Sequence, residues 1–295
     1  DRDPALLPEG RAPNLKDKLA KVREQMEALD AIEQQLKDMS DHQISLTDPD
    51  ARSMTSSGRG TGTVGYNLQA AVDAEHHLIV AHQVTNVGND RAQLSGMAAM
   101  AKDALGTEHM TALADRGYFN APEILACEQA GIIPLVPKPL TSNSKAEGRF
   151  DKRDFVYDPA ADAYQCPAGE LAIYRFTTEE NGLKLHKYWS SACPDCPMRA
   201  RCTTATYRRV SRWEHEHVLE TMQLRLNARP QVAVVRKQTV EHVFGTLKAW
   251  LGTTPLLTKT LPKVRTEISL AVLAYNMKRM IKIVGMQGML RAIAG

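Results

Sequence analysis

Thr111-Ala112-Leu113-Ala114-Asp115-Arg116-Gly117-Tyr118 is the stretch that decides the fold. Its first four residues make a short buried strand, Asp115 closes it, and Gly117 lets the chain turn sharply. Open α/β sheets bind their ligands beyond the carboxyl ends of strands, so an acid here is a candidate ligand group. The same acid can equally cap the next helix or close the turn. Upstream, 66–72 and 78–85 read as strands joined by a hairpin turn through Asp73-Ala74-Glu75-His76, and 91–105 reads as a helix. Downstream, 121–130 reads as a helix ending at Gly131, and 132–136 as a strand closed by Pro137 and Pro139. The order strand, strand, helix, strand, helix, strand predicts an α/β sheet with flanking helices.

The ends of the chain are less regular. Residues 1–13 read as loop, with Asn14 as the N-cap of an amphipathic helix. Leu15, Leu19, Val22, Met26, Leu29 and Leu36 follow a 3–4 spacing that fits either a coiled-coil arm or packing on the same chain. Residues 40–63, rich in Asp, Ser, Thr and Gly, read as an extended linker. After Leu140 regularity stops, with polar turns and short β-like pieces such as 170–177. Helical pattern resumes near Trp213, is interrupted at Pro230, and ends in a helix over 264–284 that is apolar on most faces and so is expected to be buried.

Composition bounds the class. With 295 residues, 43% hydrophobic and 24% charged, the chain is expected to be soluble and globular, with one large or two ordinary domains. No apolar run approaches a membrane span and no signal peptide opens the chain, which predicts a cytoplasmic protein without a membrane partner. The first residue is Asp1, not Met, as in a processed or truncated product. Net charge is +3, but residues 199–295 carry seventeen Lys/Arg against five Asp/Glu. A basic second half points to a polyanion surface, although a solvated basic face is the plainer reading.

A second acid stands in a different setting, within Arg236-Lys237-Gln238-Thr239-Val240-Glu241-His242-Val243-Phe244-Gly245-Thr246-Leu247-Lys248. Val240, Phe244, Leu247 and Leu251 form the stripe expected to dock this helix, with Glu241 at its border. Lys248 follows on the Glu241 face, about 10.5 Å along the axis at ~1.5 Å per residue. A strand-end Asp and a helical Glu suit Mg²⁺, which takes oxygen ligands and uses few carboxylates beside waters and substrate phosphates. An ordinary surface Glu with an ordinary Lys fits the same helix. No Ser-His-Asp arrangement, phosphate-binding Gly-Lys loop or dinucleotide Gly motif is evident.

Three motifs in this order carry a resemblance: Tyr66-Asn67-Leu68-Gln69-Ala70-Ala71-Val72-Asp73, then Ala114-Asp115-Arg116-Gly117-Tyr118, then Val240-Glu241-His242-Val243-Phe244-Gly245-Thr246-Leu247-Lys248. Together they resemble the DDE transposases of bacterial insertion sequences. Ala274-Tyr275-Asn276-Met277-Lys278-Arg279 is similar to the end of that family's catalytic domain, and Thr47-Asp48-Pro49-Asp50-Ala51-Arg52 recurs in one of its branches. The resemblance runs from about residue 46 to 284. It implies an RNase H-like mixed sheet with flanking helices, Mg²⁺ or Mn²⁺ as cofactor, and double-stranded DNA as partner, bound by a homodimer near the nucleoid. It assigns Asp115 as the second metal-binding acid and Glu241 as the third. The first acid belongs on a first strand, which is expected upstream of Asp1; Asp73 is the one substitute within the chain. Lys237 stands where relatives carry Arg, Val234 where they carry Tyr, and Lys248 is in place.

The Cys cluster also recurs in that branch. Cys166, Cys193, Cys196 and Cys202 could hold one Zn²⁺, or remain free thiols in a knuckle without metal. His186 is a stray candidate ligand, and Cys127 reads as a small core residue. After the cluster, Arg199, Arg201, Arg208, Arg209 and Arg212 alternate with Tyr207 and Trp213 and no acid intervenes, as in surfaces that contact phosphates and stack on bases. Arg208, Arg209, Arg212, Arg236, Lys237 and Lys248 are therefore the expected DNA contacts. The expected division is an arm and linker over 1–63, a core in two parts over 64–139 and 231–284, a Cys-bearing insertion over 140–230, and a tail over 285–295. The implied activity is Mg²⁺-dependent cleavage of transposon ends and strand transfer. The rivals are an inactive DNA-binding remnant of a transposase and a nuclease of the same fold.

Overall fold

The structure is a computed structural model, and it describes residues 12–39, 41–54, 62–139, 144–250 and 255–294. The chain divides into two compact units. The first comprises residues 1–69, 83–89 and 247–275, the second 70–82, 90–246 and 276–295.

The first unit opens with α1 (Ala12–Asp38). The helix starts before Asn14, so Asn14 lies inside it and is not its N-cap. Leu15, Leu19, Val22, Met26 and Leu29 are all exposed, from 49% to 63%, so this part of the apolar stripe is not covered by the described residues, whereas Leu36 near the end of the helix is half-buried. Residues 1–11, expected as loop, lie outside the described residues. The reading of 40–63 as an extended linker is corrected. Strand β1 (Arg52–Met54) pairs antiparallel with β2 (Thr63–Gly65), Arg52 opposite Gly65; residues 40 and 55–61 lie outside the described residues.

The Thr47–Arg52 motif does local structural work. The Asp48 carboxylate accepts the Thr260 N–H at 3.1 and 3.2 Å and the Tyr66 hydroxyl at 2.8 Å. Asp50 accepts the Leu261 N–H at 2.8 Å. Leu261 begins α6 (Leu261–Ala294), so the two acids satisfy N–H groups that a helix start leaves without intrahelical partners. Val264, Ile268 and Val272 form the buried face of α6, whereas Leu270 and Leu273 are exposed. This corrects the expectation of a helix buried on most faces: its apolar residues surround it, but only one 3–4 stripe is covered. The expected tail is also helical, resuming after a break at Gly285 (φ 75°).

The second unit carries most of the expected α/β order. Strands β3 (Asn67–Val72) and β4 (Ile79–Thr85), which run through both units, pair as a hairpin. Helix α2 (Leu94–Leu105), β5 (Met110–Leu113), α3 (Ala121–Gln129) and β6 (Ile132–Leu135) follow. Strands β5 and β6 are parallel, Thr111 opposite Ile133 and Leu113 opposite Leu135. Gly131 leaves α3 with φ 72°, a conformation that glycine adopts without Cβ strain. Met97 and Ala101 of α2 pack with Ala81 of β4, and Ala71 of β3 and Met110 of β5 join the same cluster. One helix thus covers both strand pairs. The single mixed sheet is corrected: β3–β4 and β5–β6 are separate two-stranded sheets, because no strand among the described residues hydrogen-bonds to both.

Residues 140–230 are far more regular than their sequence suggests. Strands β7 (Val156–Asp158), β8 (Ala163–Gln165), β9 (Leu171–Glu180), β10 (Leu183–Trp189) and β11 (Val210–Trp213) form one antiparallel sheet in the order β11-β10-β9-β8-β7. Phe155, Tyr164, Ala172, Tyr188 and Val210 make its core. Helix α4 (Glu216–Ala228) ties this module to the α/β layer, since Trp213, Val218, Leu219 and Met222 share a core with Ile124, Cys127 and Ile132. Helix α5 (Val232–Trp250) follows. Among the described residues no helix is long and apolar enough to cross a membrane.

Candidate functional site

Asp115 ends β5 as expected, with Ala114 still bonded through its N–H to the Leu135 carbonyl at 3.3 Å. Its backbone is extended, and Oδ1 accepts the Gly117 N–H at 2.7 Å, closing the turn at Arg116–Tyr118. The turn-closing alternative is therefore realised in the structure. Two acids crowd this turn: a Cβ on residue 117 would meet Asp115 Oδ1 at 2.9 Å, which a shift of that carboxylate would relieve, and Asp90 Oδ2 at 3.6 Å, an ordinary contact. Asp90 thus brings a second carboxylate beside Gly117. Sequence reading passes over it because it stands in a loop with no periodicity; the only signal was its place just ahead of α2.

Asp73 is occupied by the hairpin. Its N–H donates to the Leu78 carbonyl at 2.8 Å, its carbonyl accepts from His77 at 3.0 Å, and its Oδ2 accepts the His76 N–H at 2.6 Å. Arg279 Nε donates to the His76 carbonyl at 2.6 Å, so α6 buttresses the same turn.

Glu241 is exposed on α5, as are Lys237 and Lys248, while Arg236 is half-buried. Lys248 stands on the part of α5 that belongs to the first unit. The buried residues of the helix are Thr239, Val243 and Leu247. The expected stripe is shifted by this: Val240 and Phe244 are half-buried at its edge, and Leu251 lies outside the described residues. Beside Glu241, the His242 ring lies 5.6 Å from that of His77. Burial holds the His77 imidazole below its ordinary pKa, and Arg279 and His242 push the same way.

Carboxylates are the right donors for a hard divalent cation. Among the described residues no group of three or more His, Cys, Asp or Glu side chains is set to hold a metal ion, and the one or two carboxylates that Mg²⁺ takes beside waters and substrate phosphates are a smaller set than that.

The basic run divides by environment. Arg212 is only 8% exposed; its guanidinium donates to Glu220 at 2.9 Å and to the Tyr164 hydroxyl at 3.3 Å, and lies 3.6 Å from the Tyr157 ring centroid. It is an internal cation, which corrects its assignment to a DNA-facing surface: its acid comes from α4, outside the acid-free run. Arg209 is exposed and stacks on Trp189 at 5.4 Å, with Arg175 on the same ring at 5.3 Å. Arg208 lies over Phe155 at 5.6 Å and lines a cavity together with all four clustered cysteines. Burial pushes the Cys202 thiol up, and Arg208 pulls against that. Cys127 is fully buried in α3, as expected, with its thiol pushed up to about 11 by burial and by Glu123 and Glu128.

Residues 165–281 match the family described as transposase DDE domain. The matched segment contains the cysteine cluster, the basic run, Glu241 and Lys248, but not Asp115. No curated protein and no solved structure matches the chain.

Proposed function

We propose, from the premise that the chain is similar to DDE transposases over residues 165–281, that it acts on duplex DNA as the transposase of an insertion sequence. That match carries the reading, and the exposed cations near Glu241 support it. In this proposal Lys237, Lys248 and Arg209 meet backbone phosphates, and the Arg175–Trp189–Arg209 stack offers a flat cationic face to DNA. Asp115 and Glu241 are the acids assigned to Mg²⁺-dependent cleavage and strand transfer, and Asp90 is added to them by its place beside Gly117.

A second reading, an inactive DNA-binding remnant, takes its support from the lack, among the described residues, of three converging ligands. The split sheet bears on the choice. Two-stranded sheets are marginal alone and leave open edges, so a further strand that carries the first acid and pairs with β3–β4 or β5–β6 would favour the enzyme. An Asp-bearing strand encoded directly upstream favours the enzyme, and a stop codon there favours the remnant.

Binding itself is tested by fluorescence anisotropy of labelled duplex DNA. The chain should bind, its affinity should fall steeply with salt, and Lys237→Ala and Arg209→Ala should each flatten the salt dependence. No binding at low salt overturns the DNA reading.

A further inference from the structure

Four thiols share a cavity of about 30 Å³ in the β7–β11 module, apart from the acids discussed above. Separate turns deliver them. Cys166 follows β8, its carbonyl accepting the Gly169 N–H at 2.9 Å. Cys193 and Cys196 bracket the Pro194-Asp195 turn, the Cys196 N–H reaching the Cys193 carbonyl at 3.3 Å. Cys202 closes the next turn, bonded through its N–H to the Arg199 carbonyl at 2.9 Å. The other three thiols all lie within electrostatic reach of Cys202. In the wall of this cavity, Arg208 Nε is buried with no hydrogen-bond partner among the described residues. Neutral thiols and aromatic carbon offer that N–H no good acceptor, which is costly for a buried donor. A tetrathiolate metal centre is net anionic, and its sulfurs accept hydrogen bonds.

We infer that Cys166, Cys193, Cys196 and Cys202 bind one zinc ion, with Arg208 as the cation beside it. Thiolate ligands select zinc over the hard cations that suit carboxylates, and four of them in a closed tetrahedron make a structural site. No three of the thiols are yet set to hold an ion, so the ligands close on the metal as it enters, each through its one side-chain rotation and the give of its turn. Four S–H groups release their protons to solvent and four S–Zn bonds form. His186 takes no part, since its Nδ1 is bonded to Thr177 Oγ1 at 2.8 Å on the β9–β10 ribbon.

Metal analysis of the full chain, purified under reducing conditions, should find about one zinc per chain. The metal-free chain titrated with Co²⁺ should develop the thiolate-to-metal charge-transfer and d–d bands of a tetrahedral four-sulfur site, and Zn²⁺ should bleach them. Cys193→Ser and Cys202→Ser should lose that spectrum, Cys127→Ala should keep it, and Arg208→Met should weaken zinc retention without altering it. A chain whose four thiols still react freely after zinc is added, or one giving the weak spectrum of an oxygen-ligated cobalt ion, overturns the site. Both measurements use the unsubstituted chain and so do not depend on a variant folding.

Discussion

Asn276 of α6 grips Ile79 of β4 from both sides: its Oδ1 accepts the Ile79 N–H at 3.0 Å and its Nδ2 donates to the Ile79 carbonyl at 2.9 Å. The motif Ala274–Arg279 thereby has a mechanical role, joining the last helix to the first hairpin across 197 positions of sequence. Asn276→Leu removes both bonds and should cost about 1–3 kcal/mol. Asn276→Asp keeps the acceptor but sets a carboxylate oxygen against the Ile79 carbonyl, so it should cost at least as much. Urea unfolding of the two variants checks the order, and equal midpoints with the parent chain contradict it.

Asp48 has a comparable role in the first unit, accepting from Thr260 and Tyr66. Asp48→Ala should lose about 1–2 kcal/mol, the usual worth of a helix-start acceptor. Tyr66→Phe should lose less, and the double variant less than the sum of both, since the two share one bond. Strict additivity in thermal unfolding argues against the contact.

Arg212 and Arg209 belong to one basic run but face different tasks. Arg212→Ala should destabilise the module by about 1–3 kcal/mol, because Glu220 and the buried Tyr164 hydroxyl lose their guanidinium donor. Arg209→Ala should leave stability within about 0.5 kcal/mol and weaken DNA binding instead. Parallel denaturation and anisotropy measurements separate the two; the reverse pattern refutes the division.

Asp162 gives a pH signature. Its Oδ1 accepts the hydroxyls of Tyr188 and Tyr157, each at 2.7 Å, and these bonds hold its carboxyl below the usual carboxylate range. A depressed folded pKa contributes stability that is present above the unfolded value, about 3.9, and is lost as pH falls through the folded one. The Asp162→Asn variant keeps an acceptor and tolerates the local φ of 43°, so it should fold with a flatter stability profile below about pH 4. An unchanged slope in that window shows the carboxylate to be uninvolved.

Local periodicity carried much of the α/β layer: β3 to β6 lie within a residue or so of their expected bounds, and α2 begins three residues later than read. Each is an apolar run of one period, closed by a glycine, proline or turn acid. Of the β7–β11 module the sequence showed β9, as the β-like piece over 170–177, whereas β7, β8 and β11 have only three, three and four residues and are too short to display an alternation. Strands β1 and β2 have three residues each and sit in a Ser- and Gly-rich stretch. Asp115 was legible as a strand-end acid. Its neighbour Asp90 and the partner of Arg212 were not, since both come from loops or helices that sequence spacing does not bring together.

The most direct test of the central claim is Mg²⁺-dependent cleavage of transposon-end DNA by the full-length protein. Glu241→Gln should reduce cleavage by about a hundredfold or more, while DNA affinity stays near that of the parent, as expected for an exposed acid whose helix docks through Thr239, Val243 and Leu247. Cleavage by Glu241→Gln at the parent rate contradicts the assignment.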